Sequence, residues 1–354
     1  MRSTLIFSCY VSPQNSALVY FSCGLPLGPF SADLNCYGGQ LTICRQEIPL
    51  NFIAPCQQLA LNLLGKSDSP VELSRESIKR SQPEFFNERM LDDETDAPFL
   101  FTLYLQVFNA YILDDTLLVE KTLQRISKMK ERRLGGTHMM NYFFALMDGL
   151  GGLLLVKESK SGFAKKMSNR AISELKRMTK DRPVNSITLL KLLQSEKAAI
   201  SSSSKPTKVK KVQSMFNEVI KHFSRSGHVH YNAIANELAG KFMLKNDDKE
   251  WAQQYFERAC FLYDDWGAQV KVDKMTRTYS ALIRPVEDRP TERFSMTASI
   301  QGVSRYDLKK DSFMRSWASP SSLDFSSQFN TSSADMRIQS QRLKSSSDFV
   351  AARR

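Results

Sequence analysis

NELAGKFMLKNDDKEWAQQYFERACFLYDDWGA, residues 236–268, decides how the rest of the chain is read. Apolar residues recur at three- and four-residue steps on both sides of a short polar break, the spacing of two amphipathic helices. The first covers 231–244 and puts Ala235, Leu238, Ala239 and Phe242 on one face. The second covers 250–266 and puts Ala252, Phe256 and Ala259 on one face, ahead of Trp266 and Gly267. Asn246-Asp247-Asp248 separates the two and offers the second an N-cap. A small residue three before an aromatic, then small, aromatic, small at four- and three-residue steps, is the tetratricopeptide spacing. The small residues let two helices approach closely, and the aromatics fill the groove between them. One such hairpin cannot bury its own apolar face, so it implies neighbours stacked against it.

Those neighbours are legible on the N-terminal side. Helix-like blocks occupy 97–113, 116–133, 139–158, 161–179, 185–200, 208–225, 228–245, 248–265 and 268–281. The pairs 97–113/116–133 and 139–158/161–179 repeat the length and rhythm of the opening hairpin with weaker signatures. No segment alternates with the period of a strand. The expected fold is all-α, with tetratricopeptide-like helical hairpins over 96–283 stacked as an α-solenoid. Residues 1–95 read as a helical part packed on the repeats: a run in 17–30 broken by a GLPLGP turn, then helices in 32–44 and 55–65. After Leu282 the composition shifts to Ser, Arg, Asp and Gln, with apolar residues scattered singly. Such a segment buries too little to offset its ordering entropy, so 284–354 is expected to be a disordered, Ser-rich basic tail. Ser295 and Ser345 follow basic residues there and Ser319 precedes Pro320, which makes these three serines candidate phosphorylation sites.

The chain has 354 residues, a net charge of +12 and a pI near 9.4, which favours an acidic partner. The basic residues are dispersed, with part of the excess in the tail, and this argues against nucleic acid as the partner. Cys9, Cys23, Cys36, Cys44, Cys56 and Cys260 contain no C-x-x-C pair, and most lie in apolar stretches. They read as reduced core residues of an intracellular, cytoplasmic protein. The most apolar window, 139–156, is interrupted by Asn141 and Asp148 and suits a buried helix better than a membrane span. The opening MRSTLIFSCYVSP has a short apolar run ending at Pro13 and no small-residue cleavage site, unlike a secretion signal.

The stretch 230–275 resembles the helical-repeat region of large multidomain signalling proteins. Those proteins carry a protein-kinase-like domain, a predicted AAA-type ATPase and this tetratricopeptide-like region, and many continue into a GAF domain with a histidine kinase, or into a cyclase. The resemblance rests on the alanine-rich first helix, on Trp251-Ala252 leading through Tyr255 to Ala259, and on Tyr263-x-x-Trp266-Gly267-Ala268. It extends upstream to YFSCGLPLGPFSADLNCYGGQL (20–41), NLLGKSDSPVEL (62–73), FNAYILDDTLLVEK (108–121) and FFALMDGL (143–150). It implies a signalling scaffold, a detached or truncated C-terminal part of a kinase–ATPase–repeat protein. The kinase, ATPase, GAF and transmitter domains are absent from this sequence, so their catalytic residues are not carried over.

A search of the residues for chemistry returns little. ALNLLGKS (60–67) matches the end of a phosphate-binding loop at Gly65, Lys66 and Ser67, but Ala60 stands where the first glycine belongs. Gly65 reads as a helix C-cap instead. His228 and His230 alternate without a carboxylate or thiol spaced to complete a metal site. Asp114-Asp115 and Asp264-Asp265 read as helix ends and turns, and Gly149, Gly151 and Gly152 as points of close helix packing. The sequence thus predicts no enzyme, no metal and no cofactor. It predicts a non-catalytic scaffold whose inner face binds a protein or peptide, with kinase or ATPase domains of the same signalling system among the candidates. The alternative is a regulatory piece of an active nucleotide-dependent kinase or ATPase whose catalytic domains lie on another chain or upstream.

Overall fold

The computed structural model describes residues 17–86, 97–129, 138–159, 161–181 and 183–283, all within one compact unit, Met1–Arg289. The candidate serines Ser295, Ser319 and Ser345, Cys9 and the whole 284–354 tail lie outside the described residues. Every regular element among the described residues is helical. The helices are α1 (residues 17–23), α2 (Leu27–Ile43), α3 (Glu47–Leu64), α4 (Arg75–Ser81), α5 (Ala97–Ile112), α6 (Thr116–Lys128) and α7 (His138–Ser159). They continue as α8 (Gly162–Asp181), α9 (Pro183–Ser201), α10 (Pro206–Ser226), α11 (Val229–Lys245), α12 (Lys249–Trp266) and α13 (Gln269–Thr278).

Consecutive helices pack on one another from α5 to α13, a chain of adjacent pairings consistent with a helical-repeat arrangement. Polar caps set the breaks. Asp115 accepts from the Leu118 N–H at 3.0 Å to open α6, and Asp248 accepts from the Trp251 N–H at 3.2 Å to open α12. Gly65 closes α3 and Gly267 closes α12, each with left-handed backbone. Gly65 is therefore a helix C-cap, and the Lys66 N–H that follows donates to the Leu61 carbonyl at 2.9 Å. In α7 the three glycines are packing points: a Cβ on Gly149 would meet Leu193 of α9, on Gly151 Leu123 of α6, and on Gly152 Ser168 of α8.

Within the opening hairpin, α11 and α12 make the most extensive contact among the described helices. Ala235, Leu238, Ala239 and Phe242 of α11 are buried, as are Ala252, Phe256, Ala259 and Trp266 of α12. The closest approach falls at Gly240, beside the predicted Ala239. A Cβ there would lie 2.8 Å from the ring of Phe256, which is fully buried and stacked on Tyr279 at 3.9 Å. Gly240→Leu regains up to about 1 kcal/mol of helix propensity. The overpacking it causes costs about 1–3 kcal/mol, because the trapped ring has nowhere to move. Chemical denaturation should therefore find the variant less stable, and a gain in stability would contradict this packing.

Three departures from the sequence reading have local causes. The turn after α1 is confined to Gly24–Pro26, and α2 already begins at Leu27. Pro29 fits in its first turn because N–H groups there have no intrahelical partner to lose. The third helix starts at Glu47 rather than 55 and runs through Pro55, held by near-continuous burial from Phe52 to Leu63. Finally, Cys56 and Cys260 are buried, but Cys23, Cys36 and Cys44 are exposed, so these three are surface residues and not core. Each lies within a stretch that also carries core residues such as Phe21, Leu34 and Leu41, but the thiols themselves fall on the outward side.

The first helices are fixed to the rest by specific polar contacts as well as by apolar ones. Gln106 of α5 donates to the Val71 carbonyl and accepts from the Leu73 N–H, both at 2.8 Å. Asn109 donates to the Pro70 carbonyl at 2.9 Å, and Asn62 of α3 holds the Glu72 carbonyl at 2.7 Å. The connection leaving α3 is thereby clamped between α3 and α5. Since α3 packs on both α5 and α13, the beginning and the end of the described chain meet.

Candidate functional site

Alternate helices form an inner row, with α5 against α7, α7 against α9, and α9 against α11. Side chains facing this interior change character along the helices. Near the N-terminal ends of α7 and α11 and toward the C-terminal end of α5 lies an aromatic cluster: Phe21 of α1 sits 5.2 Å from Phe108, 5.8 Å from Phe143, 5.9 Å from His230 and 6.4 Å from Trp266, between ring centroids. The first described helix thus fills one end of the inner face that the sequence assigns to a partner. Gly24 makes this possible. Its φ is +68°, and any Cβ would run into the His230 ring.

His230 is fully buried and neither ring nitrogen has a hydrogen-bond partner. Burial, with a smaller contribution from the charge of His228, pushes its pKa well below the ordinary imidazole value. The folded state therefore keeps His230 neutral, while the unfolded chain protonates near pH 6.5. Stability is complete above that pH and is lost as pH falls below it, by up to about 1.4 kcal/mol per pH unit. Melting temperature should decline from pH 7.5 to 5.5, and His230→Phe should flatten that decline. An unchanged pH slope in the variant would rule out His230 as its source.

One to two helical turns further on, the interior becomes charged. Asp114 follows α5 with left-handed backbone (φ 52°), which turns its carboxylate back toward α11 and α13. It accepts from Lys241 at 2.8 Å and from Lys271 at 2.7 Å. Glu237, one turn before Lys241 on α11, pairs with both lysines at 2.7 Å and accepts from the Tyr263 hydroxyl at 2.8 Å. Lys274 donates to the Leu113 carbonyl. Lys271 has 1% of its side chain exposed and Glu237 has 7%, while Lys241 and Asp114 lie nearer the surface and Lys274 approaches Asp114 at 4.0 Å, so two carboxylates and three ammonium groups form a partly buried cluster. Burial alone would raise the Asp114 carboxyl, but Lys271 and Lys241 together hold it well below the usual range. The Glu237 carboxyl is likewise lowered, burial being outweighed by Lys241 and Lys271. Lys241 moves the other way: burial works against its charge, yet Glu237 and Asp114 raise its pKa well above the ordinary lysine value.

Beside this cluster lies a small solvent-facing recess of ≈ 20 Å³, about the room of one water molecule. Leu150 and Leu154 of α7 and Ile234 and Leu238 of α11 form its apolar walls, and Tyr111, Lys157 and Glu196 complete it. Glu196 of α9 is 8% exposed as a residue; among the described residues no hydrogen bond or ion pair engages its carboxylate, whose oxygens keep contact with solvent. Burial raises its pKa, opposed by Lys157, Lys241 and Lys245 nearby. Tyr111 is raised well above the ordinary phenol value by burial and by Glu196.

The sequence reading of Asp114-Asp115 as a turn holds for both residues but misses the ion pairs of Asp114. Neither Glu237 nor Lys271 was singled out. A signal for Glu237 did exist: Tyr231, Ile234 and Met243 make α11 apolar on faces beyond the predicted one, and a helix apolar all round is a buried helix. Among the described residues, no group of three or more His, Cys, Asp or Glu is placed to hold a metal ion. No described helix is long and apolar enough to cross a membrane. No protein-family model, curated protein or solved structure matches the chain.

Proposed function

We propose that this chain is a non-catalytic, tetratricopeptide-like scaffold for protein–protein interaction in signal transduction, acting in the cytoplasm on a protein or peptide partner. The observation that carries the reading is the inner row of α5, α7, α9 and α11. Its side chains line a small, partly apolar and partly charged recess that faces solvent. Helical-repeat folds use surfaces of this kind to hold extended ligands. The small and aromatic residues buried between α11 and α12 fit the repeat spacing read from the sequence. The resemblance to kinase–ATPase–repeat proteins makes domains of such a system the first partners to try. A detached or truncated part of that architecture is the corresponding view of the gene.

The alternative, a regulatory piece of an active kinase or ATPase, differs in a measurable way. Affinity purification from the native cell, with chemical crosslinking and nuclease treatment, should return a discrete protein partner that survives the nuclease. The purified chain should neither bind nor hydrolyse ATP, and Lys66→Ala should leave that result unchanged. Lys66-dependent ATP binding, or a partner lost on nuclease treatment, would overturn the scaffold reading.

A further inference from the structure

We propose that the outward face of α8, α9 and α10 docks on an anionic lipid surface. The inference goes beyond the scaffold reading, since it concerns the side of the molecule away from the inner row.

Residues 162–226 hold 15 Lys and Arg against 4 Asp and Glu, a net +11 of the chain's +12. The basic excess, dispersed in the sequence reading, is in fact concentrated in three consecutive helices. The fold then puts it on one side. Ile187, Lys191, Gln194, Ala198 and Ser201 recur at three- and four-residue steps along α9, opposite Glu196 and the inner row. Neighbouring helices border this stripe on both sides: Lys191 donates to Glu218 of α10 at 2.6 Å, and Lys197 donates to Asn169 of α8 at 2.7 Å. Helical spacing fixes what flanks it. Lys165, Lys176 and Lys180 share the side of α8 that carries Asn169. Lys211 and Arg225 lie two turns before and after Glu218 on α10, and Lys208 lies a turn before Lys211. All six are exposed, and among the described residues no hydrogen bond or ion pair engages their side chains. The one carboxylate in these stripes is Glu218, and Lys191 already holds it. The result is a surface of like charge about 30 Å long and three helices wide, and an opposing layer of anions relieves its repulsion.

Three features select a bilayer among anionic partners. Eleven of the 15 cations are lysines, point charges without the planar fork with which arginine grips single phosphates and base edges. A layer of anionic headgroups needs no fork, and each Lys or Arg close to it strengthens binding about fivefold. Second, no Phe, Tyr or Trp of α8–α10 is exposed for bases to stack on, as single-stranded nucleic acid requires. Third, among the described residues of these helices the one exposed large apolar side chain is Ile187, 39% open on the stripe between the two basic rows. It gains burial at the headgroup boundary of a bilayer and nothing against a chain of phosphates or carboxylates.

Cosedimentation of the full chain tests this with vesicles of phosphatidylcholine alone and of phosphatidylcholine with about 30% phosphatidylserine, at about 0.1 M salt. The anionic vesicles should bind at least about tenfold more tightly, and raising the salt to about 0.5 M should release the protein. Lys165→Gln/Lys208→Gln/Lys211→Gln should weaken that binding about a hundredfold with the helical circular dichroism unchanged. Lys66→Gln/Lys121→Gln/Lys249→Gln makes the same change in net charge at exposed positions off this face and should leave the binding within a few-fold. Equal binding to the two vesicles, or an equal loss in the two triple variants, would overturn the proposal. Capture by a duplex oligonucleotide or by polyglutamate that is tighter than capture by anionic vesicles would also overturn it, by giving the face to a nucleic acid or an acidic protein segment. None of these outcomes decides whether the inner face holds a protein partner.

Discussion

Lys271→Met will lower the unfolding free energy by about 3–5 kcal/mol, because it strips the ammonium from a site where Asp114 and Glu237 stay charged. Lys241 still reaches both carboxylates and Lys274 approaches Asp114 at 4.0 Å, but the buried Glu237 is left with one ammonium in place of two. The loss is greater than the removal of a surface ion pair, since Lys271 is almost wholly enclosed and has no water to replace its partners. A second replacement, Glu237→Leu, should return part of the loss, because a buried pair exchanged for apolar groups is often close to neutral. Urea denaturation of the two variants checks this. A loss below about 1 kcal/mol in Lys271→Met would mean that the cluster is solvated in the folded protein.

Phe21→Ala carries the other large effect, about 3–5 kcal/mol. Its ring is 4% exposed and lies against aromatic residues from α5, α7, α11 and α12, four helices that α1 does not follow in sequence. Truncation leaves a cavity bounded by Phe108, Phe143, His230 and Trp266, and these rings are held by their own packing. The same denaturation series reads the effect. If Phe21→Ala matches the parent protein within about 0.5 kcal/mol, α1 is not a structural part of the interior.

The periodicity of the sequence locates the helices from α5 to α13 closely. The block 97–113 becomes Ala97–Ile112, and 161–179 becomes Gly162–Asp181. Helices such as α6 and α10 bury one stripe against sequence neighbours, and a stripe is a local property, while α5 and α11 are buried on nearly every side. The N-terminal helices were harder to place, because Pro29 and Pro55 signal breaks that α2 and α3 do not make. Pro29 falls in the first turn of α2, where no intrahelical N–H is lost, and burial on several sides carries α3 through Pro55. The charged cluster is of a different kind. Asp114 and Lys271 are 157 residues apart, and each alone resembles a solvated helix-end residue. Only the approach of α13 to α5 and α11 turns them into buried partners. Glu196 was equally silent, for it sits in LLQSEKAAI among residues that any amphipathic helix would carry. The spacing of Ala239, Phe242, Ala252, Phe256 and Ala259 gave the hairpin, while the functional character of the interior depended on contacts that no window of sequence contains.

Site-specific photocrosslinking in the native cell tests the central claim, that protein partners engage the inner face and not the outer helices. A photoreactive residue replaces either Lys157, at the recess rim, or Leu117, which is 80% exposed on α6. The account predicts a discrete protein adduct from position 157 and none from position 117. Adducts from 117 alone, or from neither position, would contradict it.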